Sequence, residues 1–234
     1  MIGRIPERLD GVYLRNTQNP VHQPRGTYHP FDGDGMLHLM SFQGGRCEYR
    51  NRFVRTKGFL QEQAAGQALY AGLIDKPSLA TGPGWGARGG LKDTAGTDVI
   101  VHAGQALAMF YQCGEPYRLD ARTLDFKGVD AWGAQVLPDN GVSAHAKVDL
   151  ATGDLLFFNY SKQAPYMHYG EVDAHNRLVH YAPVPLPGPR LPHDMAFTRH
   201  YAILNDFPLH WDEALLAQGK HKLSYYPDKP SRFA

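Results

Sequence analysis

The sequence predicts an all-β protein that is built from repeated antiparallel hairpins. Its 234 residues include 25 glycines and 17 prolines, and this density of turn-forming residues suits many short strands better than long helices. Three segments are typical of a strand, an Asp-headed turn and a second strand: 117–124, 147–155 and 170–178. A blade of a β-propeller repeats in this way, whereas a β-sandwich also contains such hairpins, so the repeat alone favours a propeller only modestly.

Composition and charge exclude several classes of protein. With 43% hydrophobic and 12% aromatic residues, the chain is able to bury a core, and we treat residues 1–234 as one domain. Because 24 basic residues balance 23 acidic ones without a run of like charge, nucleic acid is not expected as a partner. Two distant cysteines, Cys47 and Cys113, predict neither a disulfide framework nor a zinc cluster, which fits a reducing cytoplasm.

No signal peptide and no apolar run of about 20 residues is visible, so we expect a soluble protein or one at a membrane surface. One apolar cluster would suit peripheral membrane contact if it were exposed, although packing of a helix is the commoner role for a cluster of this size. Its members are Leu69, Tyr70, Leu73 and Ile74.

The first third of the chain predicts strands at 11–15, 36–42 and 47–55, with the last two forming a hairpin. Gly33 and Gly35 stand beside aspartates that can bond back to their own backbone, which predicts a tight loop before the second strand. A calcium site is the weaker interpretation, because the acidic ladder of a full calcium loop is missing. Residues 61–70 favour a short helix and 78–90 a surface loop.

Two histidines stand where predicted strands begin. His145 lies in the segment 143–149 and His193 in the segment 192–198, so they are 48 residues apart, about one propeller blade with a loop. Inner strands of successive blades would direct both imidazoles toward the axis. The chain has 12 histidines, however, so this spacing alone does not establish metal binding.

The amino-acid sequences of these two segments resemble the first two iron-ligand segments of the carotenoid cleavage oxygenases. This family includes lignostilbene dioxygenases and a retinoid isomerohydrolase. The segments 9–16, 31–36 and 51–56 are similar to the opening of that family. Around His193 the chain keeps Pro192 and Asp194, and it departs from the family at Ala146, where a proline usually follows the first ligand.

The resemblance implies a seven-bladed β-propeller with a short helical insertion. It also implies a ferrous iron, Fe(2+), that is held by four histidines, of which His145 and His193 would be the first two. Only the N-terminal half of the family is matched, so we expect an incomplete propeller with unpaired strand edges, inactive by itself. The third and fourth ligands would lie outside these residues.

The function implied by the resemblance is oxidative cleavage of a conjugated C=C bond in a carotenoid or apocarotenoid. Dioxygen, O2, would be the co-substrate and two carbonyl compounds the products. Catalytic residues other than the metal ligands are not identified. The family supports three of its ligands with glutamates, and the position of one aligns with Gln112, or with Glu115 if the register is shifted.

Three other functions stay open. A lignostilbene-type enzyme would grip a phenolic oxygen with a lysine and a tyrosine, but the position that aligns with the lysine is Tyr111. Lys92 is a second choice for that role, although we expect it at a solvated strand edge. A non-catalytic propeller remnant is the second alternative. A hydrolytic zinc site is the third, and it is disfavoured because no catalytic carboxylate stands near either histidine.

Overall fold

The computed structural model describes residues 3–82, 91–130, 132, 141–218, 220 and 222–234. The predicted loop 78–90 therefore lies mainly outside the described residues. Two four-stranded antiparallel meanders occupy the middle of the chain, with the strand orders β4-β5-β6-β7 and β8-β9-β10-β11. The first consists of β4 (Asp98–His102), β5 (Gln105–Met109), β6 (Tyr117–Asp120) and β7 (Phe126–Val129). The second consists of β8 (Lys147–Val148), β9 (Leu155–Tyr160), β10 (Tyr166–Val172) and β11 (Leu178–Pro185).

All three predicted Asp-headed hairpins are confirmed. Asp120 accepts hydrogen bonds from the backbone of Arg122 and Thr123 between β6 and β7. Asp149 holds the β8–β9 turn through the backbone of Ala151, and Asp173 does the same between β10 and β11. The hydrogen bonds from Arg122 and Thr123 lower the pKa of the Asp120 carboxyl, because the backbone donors favour its charged form.

A three-stranded sheet precedes the meanders and has the order β1-β2-β3. Its strands are β1 (Gly11–Asn19), β2 (Asp34–Gln43) and β3 (Arg46–Phe53), and the predicted hairpin of the second and third strands is confirmed. The second strand begins inside the predicted glycine loop, because Gly35 already pairs with Gln18. A Cβ atom added at Gly35 would lie 2.5 Å from the carbonyl oxygen of Ala95, so glycine is required there by close backbone approach.

The helix α1 runs from Lys57–Ala65, earlier than the predicted 61–70. Thr56 begins it by accepting a hydrogen bond from the backbone of Phe59, and Gly66 ends it in the left-handed conformation with φ 64°. The predicted apolar cluster therefore follows the helix instead of lying on it, and Ile74 in that cluster is 60% exposed. No helix of the described residues is long and apolar enough to cross a membrane.

The last part of the described chain contains short paired strands and one helical turn. The pairs are β12-β13, β14-β17 and β15-β16. Their bounds are β12 (Ala196–Phe197), β13 (Ala202–Ile203), β14 (Asn205–Asp206), β15 (Leu209–Trp211), α2 (Glu213–Leu216), β16 (Leu223–Tyr225) and β17 (Arg232–Phe233).

The hydrophobic core lies between successive sheets, as strand alternation requires. Along β5, Leu107 faces the β8–β11 meander, whereas Ala106 and Ala108 face the first sheet. Along β9, Phe157 packs in the same core as Leu107 of β5. Phe158 points to the other face of the sheet and packs with Met195 and Trp211 in the last part of the chain. Each of the two meanders is thus packed on both faces by its neighbours in sequence, which is how the blades of a propeller pack.

Lys92 is not at a solvated strand edge, so that expectation is wrong. Its side chain is 10% exposed, and its Nζ lies 2.8 Å from Asp34 Oδ1 and 2.6 Å from Glu62 Oε2. The two carboxylates raise the pKa of Lys92 against the opposing effect of burial. The ammonium is therefore committed to joining β2, α1 and the segment before β4.

Replacing this lysine should destabilise the fold strongly. In Lys92→Met, two carboxylates that are almost fully buried lose their cation, and breaking a buried ion pair in this way costs about 3 to 5 kcal/mol. The control is Arg50→Met, which breaks an exposed pair with Glu48 and should change the free energy of unfolding by less than about 1 kcal/mol. Urea titration measures both values, and equal small losses would contradict the structural role of Lys92.

Candidate metal centre

His145 and His193 occupy equivalent positions in successive sheets. His145 lies two residues before β8 and His193 three residues before β12. Both have left-handed backbone conformations, with φ 67° and φ 65°. Residues other than glycine seldom adopt such values, and they concentrate where a structure must aim a side chain.

The local hydrogen bonds explain how each turn is held. The backbone N–H of Asp194 donates to the carbonyl of Pro192 at 2.8 Å, which closes a tight turn around His193. The segment before His145 is held from the neighbouring sheet, since the backbone N–H of Ala144 donates to the carbonyl of Phe110. Backbone hydrogen bonds of adjacent residues thus hold the turn on which each histidine stands.

The two imidazoles face each other edge to face. Their ring centroids are 5.0 Å apart with an angle of 61° between the planes. Tyr111 is the next aromatic neighbour, with its ring centroid 6.0 Å from that of His193. His145 is half-buried and His193 exposed, so both rings lie on an accessible surface next to the buried Tyr111.

Charged groups connect the two histidine segments to adjacent sheets. Nδ1 of His145 lies 3.1 Å from Oδ2 of Asp98, the first residue of β4. Lys147 donates to Asp194 at 2.7 Å and so joins the two histidine segments directly. Partial burial of Asp194 opposes ionisation, but its pKa is lowered because the hydrogen bonds from Lys147 and from the backbone of Met195, together with nearby positive charge, have the larger effect.

The pKa of His193 is lowered below its usual value. Partial desolvation of the ring against its neighbours is the larger cause, and repulsion from the adjacent His145 when that ring is charged is the second. Asp194 opposes this shift. His193 therefore stays neutral, and able to bind a metal through a ring nitrogen, at lower pH than an isolated histidine.

Gln112 and Glu115 are both buried near this centre but have different partners. The Gln112 amide donates to the Tyr111 hydroxyl at 3.0 Å, which places it one side chain away from His193. Glu115 instead binds Lys57 at 2.5 Å and accepts a hydrogen bond from the Tyr117 hydroxyl at 2.8 Å. Gln112 is thus linked to His193 through Tyr111, whereas the side-chain partners of Glu115 are Lys57 and Tyr117.

The donor set suits a divalent transition metal, because imidazole nitrogen is a common ligand for iron, zinc and copper. Two imidazoles that face each other at this distance fit two positions of one coordination sphere. Within the described part of the chain, no group of three or more His, Cys, Asp or Glu side chains is arranged to hold a metal ion. The described residues thus place two imidazoles side by side without a third such group beside them.

Comparison with known proteins identifies the family of this chain. The model of the retinal pigment epithelial membrane protein (RPE65) family matches residues 1–234. The chain belongs to the carotenoid cleavage oxygenase family. Isoeugenol monooxygenase from Pseudomonas nitroreducens is 34% identical over 209 residues, which cover 88% of this chain and 42% of that protein. Apocarotenoid-15,15'-oxygenase from Synechocystis is 31% identical over 251 residues, which cover 98% and 49%.

The solved structures agree with the sequences. Lignostilbene dioxygenase from Pseudomonas brassicacearum superposes with a TM-score of 0.84 at 30% identity, over 99% of this chain and 48% of that one. The predicted propeller architecture is confirmed, since carotenoid cleavage oxygenases are β-propellers and the sheets described above form part of one. The chain spans about half the length of the relatives it matches.

Sequence reasoning missed Asp98 as a neighbour of His145. A signal was available, because Asp98 begins the inner strand one repeat before His145, just as Lys147 begins the inner strand one repeat before Asp194. Both pairs are separated by 47 residues. The period of the blades thus predicts which residues meet across them.

The lowered pKa of His193 can be measured directly. We expect its NMR titration midpoint in the metal-free chain to lie below the usual histidine value of about 6.5, because neighbouring groups disfavour the charged ring. In His145→Ala, the repulsion is lost and part of the desolvation is relieved, so the midpoint should rise toward that value. A midpoint that is already at the usual value in the unsubstituted chain would contradict the arrangement.

Proposed function

We propose that this chain is part of an Fe(II)-dependent dioxygenase that cleaves a conjugated C=C bond of a carotenoid or apocarotenoid. The supporting observation is the pairing of His145 and His193 at 5.0 Å in equivalent turns of successive sheets. Membership of the family supports the reaction class, and relatives are named for cleavage of carotenoids and apocarotenoids. One O2 is consumed, and its two atoms become the oxygens of two carbonyl products.

His145 and His193 would hold the iron as neutral ligands. Bound iron would supply the site at which O2 is activated, and neutral ligands leave its double positive charge uncompensated. The lowered pKa of His193 serves this role by keeping the imidazole unprotonated. Tyr111, packed against His193 and held by Gln112, provides a buried aromatic wall against which an apolar substrate could lie.

The remaining iron ligands would come from outside these 234 residues. Two histidines give an under-coordinated site, because structural and catalytic metal centres use three or more protein ligands. The relatives that the chain matches are about twice its length, which leaves room for the other ligands. We therefore expect the isolated chain to be inactive in cleavage.

A second candidate is cleavage of a phenolic aryl alkene. Specific support comes from the isoeugenol and lignostilbene enzymes among the relatives. Lys92 does not favour this candidate, since its ammonium is committed to Asp34 and Glu62 and is not available to a phenolate. Tyr111, whose ring packs against His193, would be the phenol that contacts such a substrate. A remnant without catalysis would keep the fold but bind no iron.

Iron content tests the proposed ligands first. After anaerobic loading with Fe(II), the gene product that contains these residues should retain iron that its His145→Ala/His193→Ala variant loses, because both proposed donors are then missing. The matched control is His175→Ala/His200→Ala, which removes two exposed histidines away from the centre and should retain as much iron as the original chain. Elemental analysis gives the iron per chain.

Activity tests the substrate class in the gene product that contains these residues. We expect oxidative cleavage of an apocarotenal to aldehydes that falls to background in either single alanine variant at His145 or His193. Isoeugenol is the competing substrate, and a preference for it would select the second candidate. Equal iron in the gene product and its double variant would overturn the metal centre and leave the non-catalytic remnant.

A further inference from the structure

We infer that Asp98 is a positioning residue for His145, and that it fixes which ring nitrogen of this histidine faces the metal. The inference rests on the proposed function, since it concerns the iron ligand named above. The observation that supports it is the 3.1 Å contact between Asp98 Oδ2 and His145 Nδ1. Nothing in the sequence around either residue assigns this role to Asp98.

The geometry of the imidazole ring determines the consequence. The two ring nitrogens point to different edges of the ring, so a proton on Nδ1 that is donated to Asp98 leaves Nε2 unprotonated. Only an unprotonated nitrogen can bind a metal. A carboxylate behind the ring therefore selects the tautomer that binds metal and increases the basicity of the coordinating nitrogen.

The carboxylate of Asp98 is itself held in place. Its Oδ1 accepts a hydrogen bond from the backbone N–H of Val99 at 2.8 Å, which leaves Oδ2 for the histidine. The side chain of Asn16 donates to the carbonyl of Asp98 at 3.0 Å and to that of Ala95 at 2.8 Å. These bonds fix the start of β4 from the preceding strand β1. The protein alone thus holds the Asp98 carboxylate in the position where it accepts from His145.

The arrangement also distinguishes Asp98 from an additional ligand. Because its oxygen lies against Nδ1, a metal on Nε2 would be on the other side of the imidazole and out of reach of the carboxylate. The side chains of Asp98 and His145 are 33% and 26% exposed, so the pair is neither sealed in the core nor freely solvated. Asp98 acts on the metal through the histidine.

The first measurement needs no metal and is therefore independent of the proposed function. Side-chain ¹⁵N NMR of the metal-free 234-residue chain, at about pH 8 and so above the usual histidine pKa of about 6.5, reports which nitrogen of His145 carries the proton. We expect the Nδ1–H tautomer in the original chain and a shift toward Nε2–H in Asp98→Asn. The asparagine keeps the size of the side chain but lacks the negative charge.

The second measurement is metal affinity. Titration with Co(II), followed by its visible absorption, should show affinity that falls about 10- to 100-fold in Asp98→Asn, the usual loss when an outer carboxylate of a metal-bound histidine is removed. The control Asp173→Asn removes a turn aspartate of another hairpin and should leave Co(II) affinity unchanged. Circular dichroism of all three chains shows whether they are equally folded.

The outcomes separate the two proposals. A tautomer shift together with weaker Co(II) binding supports the positioning role. An unchanged tautomer, or a shift without loss of affinity, overturns it even where the original chain binds metal well. The Co(II) titration uses the gene product that contains these residues. If that protein binds no Co(II), the proposed metal centre fails, and the tautomer alone then decides whether Asp98 orients His145.

Discussion

Packing between neighbouring sheets is the constraint on which the candidate site depends. The strand β5 contributes Leu107 to one interface and Ala106 to the other, so a single strand sets the spacing of two interfaces. The β9 strand does the same with Phe157 and Phe158. Because this packing holds the sheets side by side, the turns that precede their inner strands lie next to each other. Two histidines that are 48 residues apart in the sequence therefore become neighbours.

Buried charge makes this arrangement more rigid. Lys92 joins Asp34 in β2 to Glu62 in α1, and it stands only six residues before Asp98. Asn16 holds the same segment from β1. The first sheet carries no proposed metal ligand. Through these contacts, however, it determines the position of Asp98, whose carboxylate lies beside His145. Loss of the buried lysine would disturb the centre from a distance, through the backbone instead of through a contact.

The sequence could predict the features that have local causes. The Asp-headed hairpins depend on side-chain bonds to nearby backbone, and the spacing of His145 and His193 reflects the length of one repeat. The environment of Lys92 could not be predicted, because its partners are 58 and 30 residues away in the sequence. The helix was placed too late because residues after Gly66 have helical propensity, whereas the left-handed glycine ends the helix.

The two histidines have different surroundings, although both have the left-handed backbone conformation. His145 has a carboxylate at Nδ1, whereas His193 has the ring of Tyr111 beside it and a lowered pKa. A carboxylate partner strengthens an imidazole as a donor, and desolvation favours its neutral form without adding charge. Tyr111 is in turn bonded to Gln112, so the hydrogen-bond partner of its hydroxyl is an uncharged amide. In the proposed metal centre, His145 would thus be arranged for strong donation and His193 for staying neutral beside the ring of Tyr111.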